Sequence, residues 1–322
     1  MNATDNKNEY KIFCEQNNVP LFSQYWWMEA ACVGKQWDVL LYKENGQIVA
    51  SMPYMLSRKF GQTFIIQPQL TQTNGVYIAN LENIEPNKRI SIEEKVYANI
   101  IEQLSCLNVG YFQQCFHHSA VNWQPFYWEG FTQTTRYTYI IDDIADTDAV
   151  FNNFHLSKKR HINKAIRNGL FVDTNIGAEE FYNFHLYTTK QKGEAHLVSK
   201  EVEVAIIDSA IQRGQGKIIG VRDADNNLHS ANFIAWDKHT AYLLLIANNI
   251  TYKTSGASSL AIYESIKFAS AQHIQSFDFE GSMSKNIAEA YKNFGGRPMP
   301  YFKIEKANSL IFKLMKAVEF LK

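Results

Sequence analysis

Two carboxylates, Asp278 and Glu280, a lysine, Lys292, and two tyrosines, Tyr291 and Tyr301, cluster in the last third of the chain just past an apolar segment ending near residue 278. Groups that move protons collect at such strand ends, where a rigid scaffold presents loops to solvent. A carboxylate there can take a proton from an amine, and a phenol can return one to a leaving group. A fixed lysine cation can stabilise charge developing on an acyl oxygen, which is the role expected of Lys292. A second segment, Asn249-Ile-Thr-Tyr-Lys-Thr-Ser-Gly-Ala-Ser-Ser-Leu260, joins an apolar strand over residues 241–247 to a helix over residues 258–271. Small residues at the helix opening leave backbone N–H groups for an anion. Lys253, Ser255, Gly256, Ala257 and Ser258 are therefore expected to hold the phosphates of a donor, with the backbone N–H near Asn248 on its acyl carbonyl, and the two segments together predict acyl transfer.

A third segment is cationic. Ser157-Lys-Lys-Arg-His-Ile-Asn-Lys-Ala-Ile-Arg-Asn-Gly169 reads as a helix with Ser157 as N-cap, Gly169 as left-handed stop and a narrow apolar face of Ile162, Ala165 and Ile166. Lys158, Lys159, Arg160, Lys164 and Arg167 then form a patch for a phosphate or carboxylate on the acceptor; a plain solvated face is the alternative.

The elements that position these groups recur. Residues 37–55 read as strand, Asn-Gly turn, strand, and residues 217–236 repeat that plan with Asp-Asn-Asn at the turn. Helical patterns precede both hairpins, at residues 24–33 and at 179–192 and 200–213; others follow, at 92–107 and 258–271. The reading is an α+β fold built twice, divided at the acidic stretch Asp142-Asp-Ile-Ala-Asp-Thr-Asp148 into domains 1–145 and 146–322. Trp123, Phe126, Trp128 and Phe131 are expected as aromatic anchors of the seam.

Composition agrees. The 322 residues, 46% hydrophobic and 14% aromatic, suffice for two cores, and 32 basic against 32 acidic residues give no net field to attract DNA. No apolar run approaches membrane-spanning length, and the first ten residues lack the apolar core of a signal peptide, which predicts a cytoplasmic location. Cys14, Cys32, Cys106 and Cys115 form neither a CxxC pair nor a disulfide framework. The nine histidines match no metal-ligand spacing, so no metal is expected; dinucleotide, P-loop and serine-hydrolase motifs are also absent.

The basic helix, Phe277-Asp-Phe-Glu-Gly-Ser-Met283 and Tyr291-Lys-Asn-Phe-Gly-Gly296 together resemble the FemABX acyltransferases of the GNAT superfamily over almost the whole chain. The resemblance implies two tandem GNAT-like domains and transfer of an acyl or aminoacyl group to a small-molecule or peptide acceptor, such as a cell-wall precursor. It implies acyl-CoA or aminoacyl-tRNA as donor. The GNAT pyrophosphate motif begins with Arg or Gln and ends with Gly or Ala, whereas Lys253-Thr-Ser-Gly-Ala-Ser258 begins with Lys and ends with Ser. The helical arm of larger Fem proteins is replaced by the short residues 193–199, which argues against a tRNA-binding arm. The family's aromatic-Lys-x-x-Phe-Gly tail is one residue shorter here, its lysine falling nearest Lys292. The competing expectation is a non-catalytic binding module of the same fold for a peptide or nucleotide-sugar.

Overall fold

The computed structural model describes residues 3–59, 61–281 and 283–314. The chain divides into two compact units, Met1–Arg136 with Pro300–Lys322, and Tyr137–Met299.

In the first unit, α1 (Ala3–Gln16) and α2 (Tyr25–Ala31) precede an antiparallel meander of β1 (Gln36–Glu44), β2 (Gln47–Lys59) and β3 (Gln62–Ile66). The short β4 (Tyr77–Ile78) pairs with β2. The helix α3 (Pro86–Cys106) then leads to β5 (Tyr111–Phe116), parallel to β3 with Phe64 beside Tyr111. Asn45 and Gly46 take φ of 51° and 81°, the left-handed pair that a two-residue hairpin turn needs. Phe112, Phe116, Phe126 and Phe131 are buried at the centre of this unit's core with Trp123 packed on it, while Trp128 is 61% exposed. Of the four expected seam aromatics, three thus contribute to the core of one unit. The short α4 (Gln124–Trp128) carries the chain into β6 (Thr132–Ile141).

The second unit begins with α5 (Thr147–Asn153), α6 (Leu156–Arg167) and β7 (Phe171–Asp173), then repeats the plan of the first. Helices α7 (Ala178–Gln191) and α8 (Lys200–Gln212) precede an antiparallel meander of β8 (Gly216–Arg222), β9 (Leu228–Trp236) and β10 (Thr240–Asn248). Next come α9 (Ala257–Ala271) and β11 (Ser276–Asp278), parallel to β10. Two helices, three antiparallel strands, a helix and a parallel strand therefore occur in the same order twice. The end of β6 pairs with β11, Ile141 beside Phe277. After α10 (Lys285–Lys292), β12 (Arg297–Ala307) pairs with β5, Phe302 beside Phe116.

Each repeat thus contributes its last strand to the sheet of the other unit, which is why the units differ from the expected division at 145/146. The acidic stretch is no linker: Ile144 is fully buried, and the Asp146 carboxylate caps α5 by accepting the Asp148 and Ala149 N–H groups at 3.1 and 3.0 Å. A core of Ile162, Ala165, Ile234, Leu243, Leu260, Ile266, Phe277, Phe279 and Phe294 holds α6 and α9 against the strands. No helix among the described residues is long and apolar enough to cross a membrane.

Candidate active site

The strand β10 stays paired with β9 as far as Asn248, with a bulge between Leu243 and Leu245. Its pairing with β11 ends earlier, at Tyr242 opposite Asp278. From the bulge onward, the β11-facing edge of β10 therefore has no partner strand among the described residues. Unpaired strand edges present N–H and C=O groups in a row. No sequence signal marked this opening, because Leu243-Leu244-Leu245 reads as uninterrupted strand.

Asp278 and Glu280 stand at the point where the strands part. Asp278 is 1% exposed; its Oδ1 accepts hydrogen bonds from the Thr138 hydroxyl and, at 2.8 Å, from the Glu280 N–H. Burial pushes its carboxyl up to about 7, against the pull of those two donors and with a smaller upward push from Asp237. Glu280 is partly exposed as a residue, but its Oε1 is buried without a partner. Burial, then the adjacent Asp278, holds its carboxyl well above the usual carboxylate range. The backbone there is tightly specified. Glu280 has φ of 55°, and a Cβ on Gly281 would lie 2.1 Å from the Tyr137 carbonyl oxygen, so only glycine fits next to it. Tyr291 stacks on Phe279 with centroids 5.0 Å apart, and its hydroxyl is pushed upward by burial, then by Glu280.

At the far end of β10 lies the second chemistry. A cavity of about 80 Å³ is lined by His161, His229, Tyr252, Lys253, Gly256 and Ser258 among others, and includes Asn248 and Ala257. It sits at the opening of α9, where Ala257 N–H donates to Ser255 Oγ at 3.2 Å, and Ser259 and Leu260 N–H both reach the Gly256 carbonyl. The Ser258 N–H has no acceptor among the described residues, as expected for a first-turn amide. Gly256 has φ of 89°, and a Cβ there would fall 2.1 Å from the His161 carbonyl oxygen. Glycine is what allows α6 to close on this turn. Lys164 Nζ completes the junction by donating to the Thr254 carbonyl at 2.6 Å.

His229 was not foreseen. It is 6% exposed, its ring stacks on Tyr252 at 3.8 Å, its Nε2 lies 3.1 Å from Asp223 Oδ2, and its Nδ1 is buried without a partner. Within the sequence it is one hairpin residue among others; only the β9 register and the Tyr252 turn reveal it. The carboxylate anchor Thr138 was likewise invisible.

The remaining expected residues are dispersed. On α6 the N-cap is His155 rather than Ser157, with Nδ1 accepting the Ser157 N–H at 3.3 Å. Ile162 and Ala165 are buried, but Ile166 is 56% exposed. Lys158 lies 4.6 Å over the Phe294 ring, and burial lowers its pKa. Lys159 Nζ donates to the Asn152 carbonyl at 2.6 Å and Arg167 Nε to the Asn163 carbonyl at 3.3 Å, while Arg160 is exposed. These cations serve several local partners and do not converge on one point; His161, His229 and Lys253 are the basic side chains that line the cavity. Lys292, at the end of α10, is 71% exposed and 4.0 Å from Glu289, so it is solvated rather than enclosed. Tyr301 is buried on β12 in the first unit. A larger cavity of about 710 Å³ also lies in that unit, lined by Ile101, Leu104, Trp128, Phe131 and Lys306 among others. It joins neither a helix opening nor a pair of buried carboxyls, so volume alone does not make it the site.

Residues 154–293, all within the second unit, match the acetyltransferase (GNAT) domain family. No curated protein sequence matches the chain. Among solved structures, the crystal structure of FemX is similar with a TM-score of 0.71 at 12% identity, over 97% of this chain and 98% of that one. The C-terminal domain of a putative lysylphosphatidylglycerol synthetase from Agrobacterium fabrum has a TM-score of 0.60 at 9% identity, over 98% and 97% of the two chains. A tandem GNAT protein from the clavulanic acid biosynthesis pathway has a TM-score of 0.55 at 8% identity, over 96% of each. The fold is theirs: two GNAT-like units in tandem.

Proposed function

We propose that the chain, whose residues 154–293 match the acetyltransferase (GNAT) domain family and whose fold is like that of FemX, transfers an acyl group from an extended, phosphate-bearing thioester of the acyl-CoA type to a primary amine. The observation that carries this reading is the parting of β10 from β11 at the Leu244 bulge, with paired buried carboxyls at one end and an anion-ready helix opening at the other. Six residues of strand separate Tyr242, beside Asp278, from Asn248 at the turn, roughly 20 Å at about 3.3 Å per residue. A compact donor cannot span that length. A donor with a phosphate handle and a long linker can, lying along the unpaired edge of β10.

The handle lies at the α9 opening, held by the Ser258 N–H, by Lys253 and, with Nε2–H donating to Asp223, by the Nδ1–H of a cationic His229. The acyl carbonyl accepts a hydrogen bond from a β10 amide at the bulge, which becomes stronger as the oxygen gains charge. The amine nitrogen attacks the acyl carbon, and the new C–N bond forms as the C–S bond breaks. Asp278 takes the amine proton, a task suited to a carboxyl that titrates near neutrality, and Glu280, held protonated by burial, gives one to the departing sulfur. The short connection at residues 193–199 favours a thioester over aminoacyl-tRNA as donor.

The test is release of free CoA from acetyl-CoA in the presence of a panel of primary amines. Glu280→Gln and Asp278→Asn should each lower turnover by about 100-fold or more, and His229→Asn should raise the KM for acetyl-CoA while sparing kcat. Tight binding of a peptide or nucleotide-sugar without any turnover would favour the binding-module reading instead.

A further inference from the structure

Glu203, on α8, is fully buried, and both its oxygens face imidazoles. His185 Nδ1, from α7, lies 2.9 Å from Oε1, and His196 Nε2, from the connection between the two helices, lies 3.0 Å from Oε2. The two rings meet edge to face with centroids 4.7 Å apart, and His196 packs in the same way on Tyr182 at 5.5 Å. The three donor atoms all fall within 4.8 Å of one another. A carboxylate removed from water is held by hydrogen bonds, by an opposite charge or by a metal.

We propose that His185, His196 and Glu203 form a binding site for a divalent transition metal of the Zn²⁺ class, separate from the acyl-transfer site. The donor chemistry selects that class: two imidazole nitrogens suit zinc and its neighbours, whereas magnesium and calcium take oxygen ligands. Geometry agrees. Metal–ligand bonds of about 2.0–2.1 Å at tetrahedral angles place neighbouring donor atoms about 3.3 Å apart; the imidazole nitrogens lie 2.9 and 3.0 Å from different oxygens of Glu203, so a small turn of the carboxylate brings one oxygen within reach of an ion shared with both rings. Access agrees as well, for the side chains of His185 and His196 are 16% and 9% exposed against 0% for Glu203, so the site opens on its imidazole side. Three protein ligands leave a fourth position for water. The spacing of eleven and then seven residues matches no metal motif, because the ligands come from two helices and their connection; this is why the sequence predicted no metal. The ion would clip residues 193–199 onto α7 and α8.

The test uses tag-free, full-length protein stripped with a chelator and titrated with Zn²⁺ by calorimetry, with thermal unfolding read in parallel. The wild type is expected to bind one Zn²⁺ per chain, with a melting temperature that rises with Zn²⁺ and not with Mg²⁺. His196→Ala lies outside both helices; among variants shown by circular dichroism to remain folded without metal, it should weaken binding by at least about 100-fold and abolish the thermal shift. Glu203→Gln keeps the shape of the side chain and should do the same. Absence of stoichiometric binding to the wild type, equal binding to His196→Ala, or an equal response to Mg²⁺ would each overturn the proposal.

Discussion

Replacing Asp278 with asparagine should yield a protein that is more stable at neutral pH and nearly inactive. The Asp278 carboxyl titrates at about 7 in the folded protein, chiefly through burial, against an ordinary value of 3.8. At about 1.4 kcal/mol per unit, that difference of roughly three units corresponds to about 4 kcal/mol. Its sign follows from which state releases the proton first. Below pH 4 both states are protonated and the group costs nothing. Between pH 4 and 7 the unfolded chain ionises while the folded one does not, so stability falls through that window and levels off above it. Asparagine carries no such penalty and can still accept from the Thr138 hydroxyl and the Glu280 N–H through its amide oxygen. Urea unfolding of both proteins at pH 4 and pH 8 isolates the effect of Asp278 together with its coupling to Glu280, since titrating groups away from this pair cancel in the difference. The variant should gain about 4 kcal/mol relative to the wild type between the two pH values, while turnover falls for want of the base. A difference that does not change with pH would mean that Asp278 ionises normally, and both the burial argument and its assignment as a base tuned to neutrality would go.

Thr138→Val removes a hydroxyl donor from Asp278, so the pH midpoint for activity should rise, as read from a kcat/KM profile. Gly256→Ala forces a left-handed backbone on a side chain whose Cβ would lie 2.1 Å from the His161 carbonyl oxygen; loss of several kcal/mol and of acetyl-CoA binding is expected from calorimetry and thermal unfolding. Lys292→Ala should leave both stability and turnover unchanged, given a side chain 71% exposed; a hundredfold fall in kcat would return Lys292 to the oxyanion role that its sequence position suggested.

Local pattern makes much of the second unit readable in the sequence. The apolar run of β10, the polar turn and the start of α9 were each placed within a residue or two, because apolar content and small opening residues are local properties. Asp278 and Glu280 were singled out for a strand-end position that they do hold. What failed was non-local. The bulge at Leu244 depends on the register with β9, the buried state of Glu280 on where Tyr137 passes Gly281, and the role of His229 on a ring stacked from a turn more than twenty residues away. The exchange of β6 and β12 between units leaves no composition signal, so an acidic stretch looked like a boundary. Charge on α6 was equally deceptive: lysines that read as one patch reach carbonyls and a ring in different directions.

The central claim is that a phosphate-bearing acyl donor lies along β10 from the α9 opening to Asp278. A crystal structure of the full chain with CoA bound tests it most directly. The account predicts the pyrophosphate at the Ser258 N–H beside His229 and Lys253, and the sulfur between the Leu244 bulge and Asp278. CoA bound elsewhere, or with its sulfur directed away from the carboxyl pair, would contradict it.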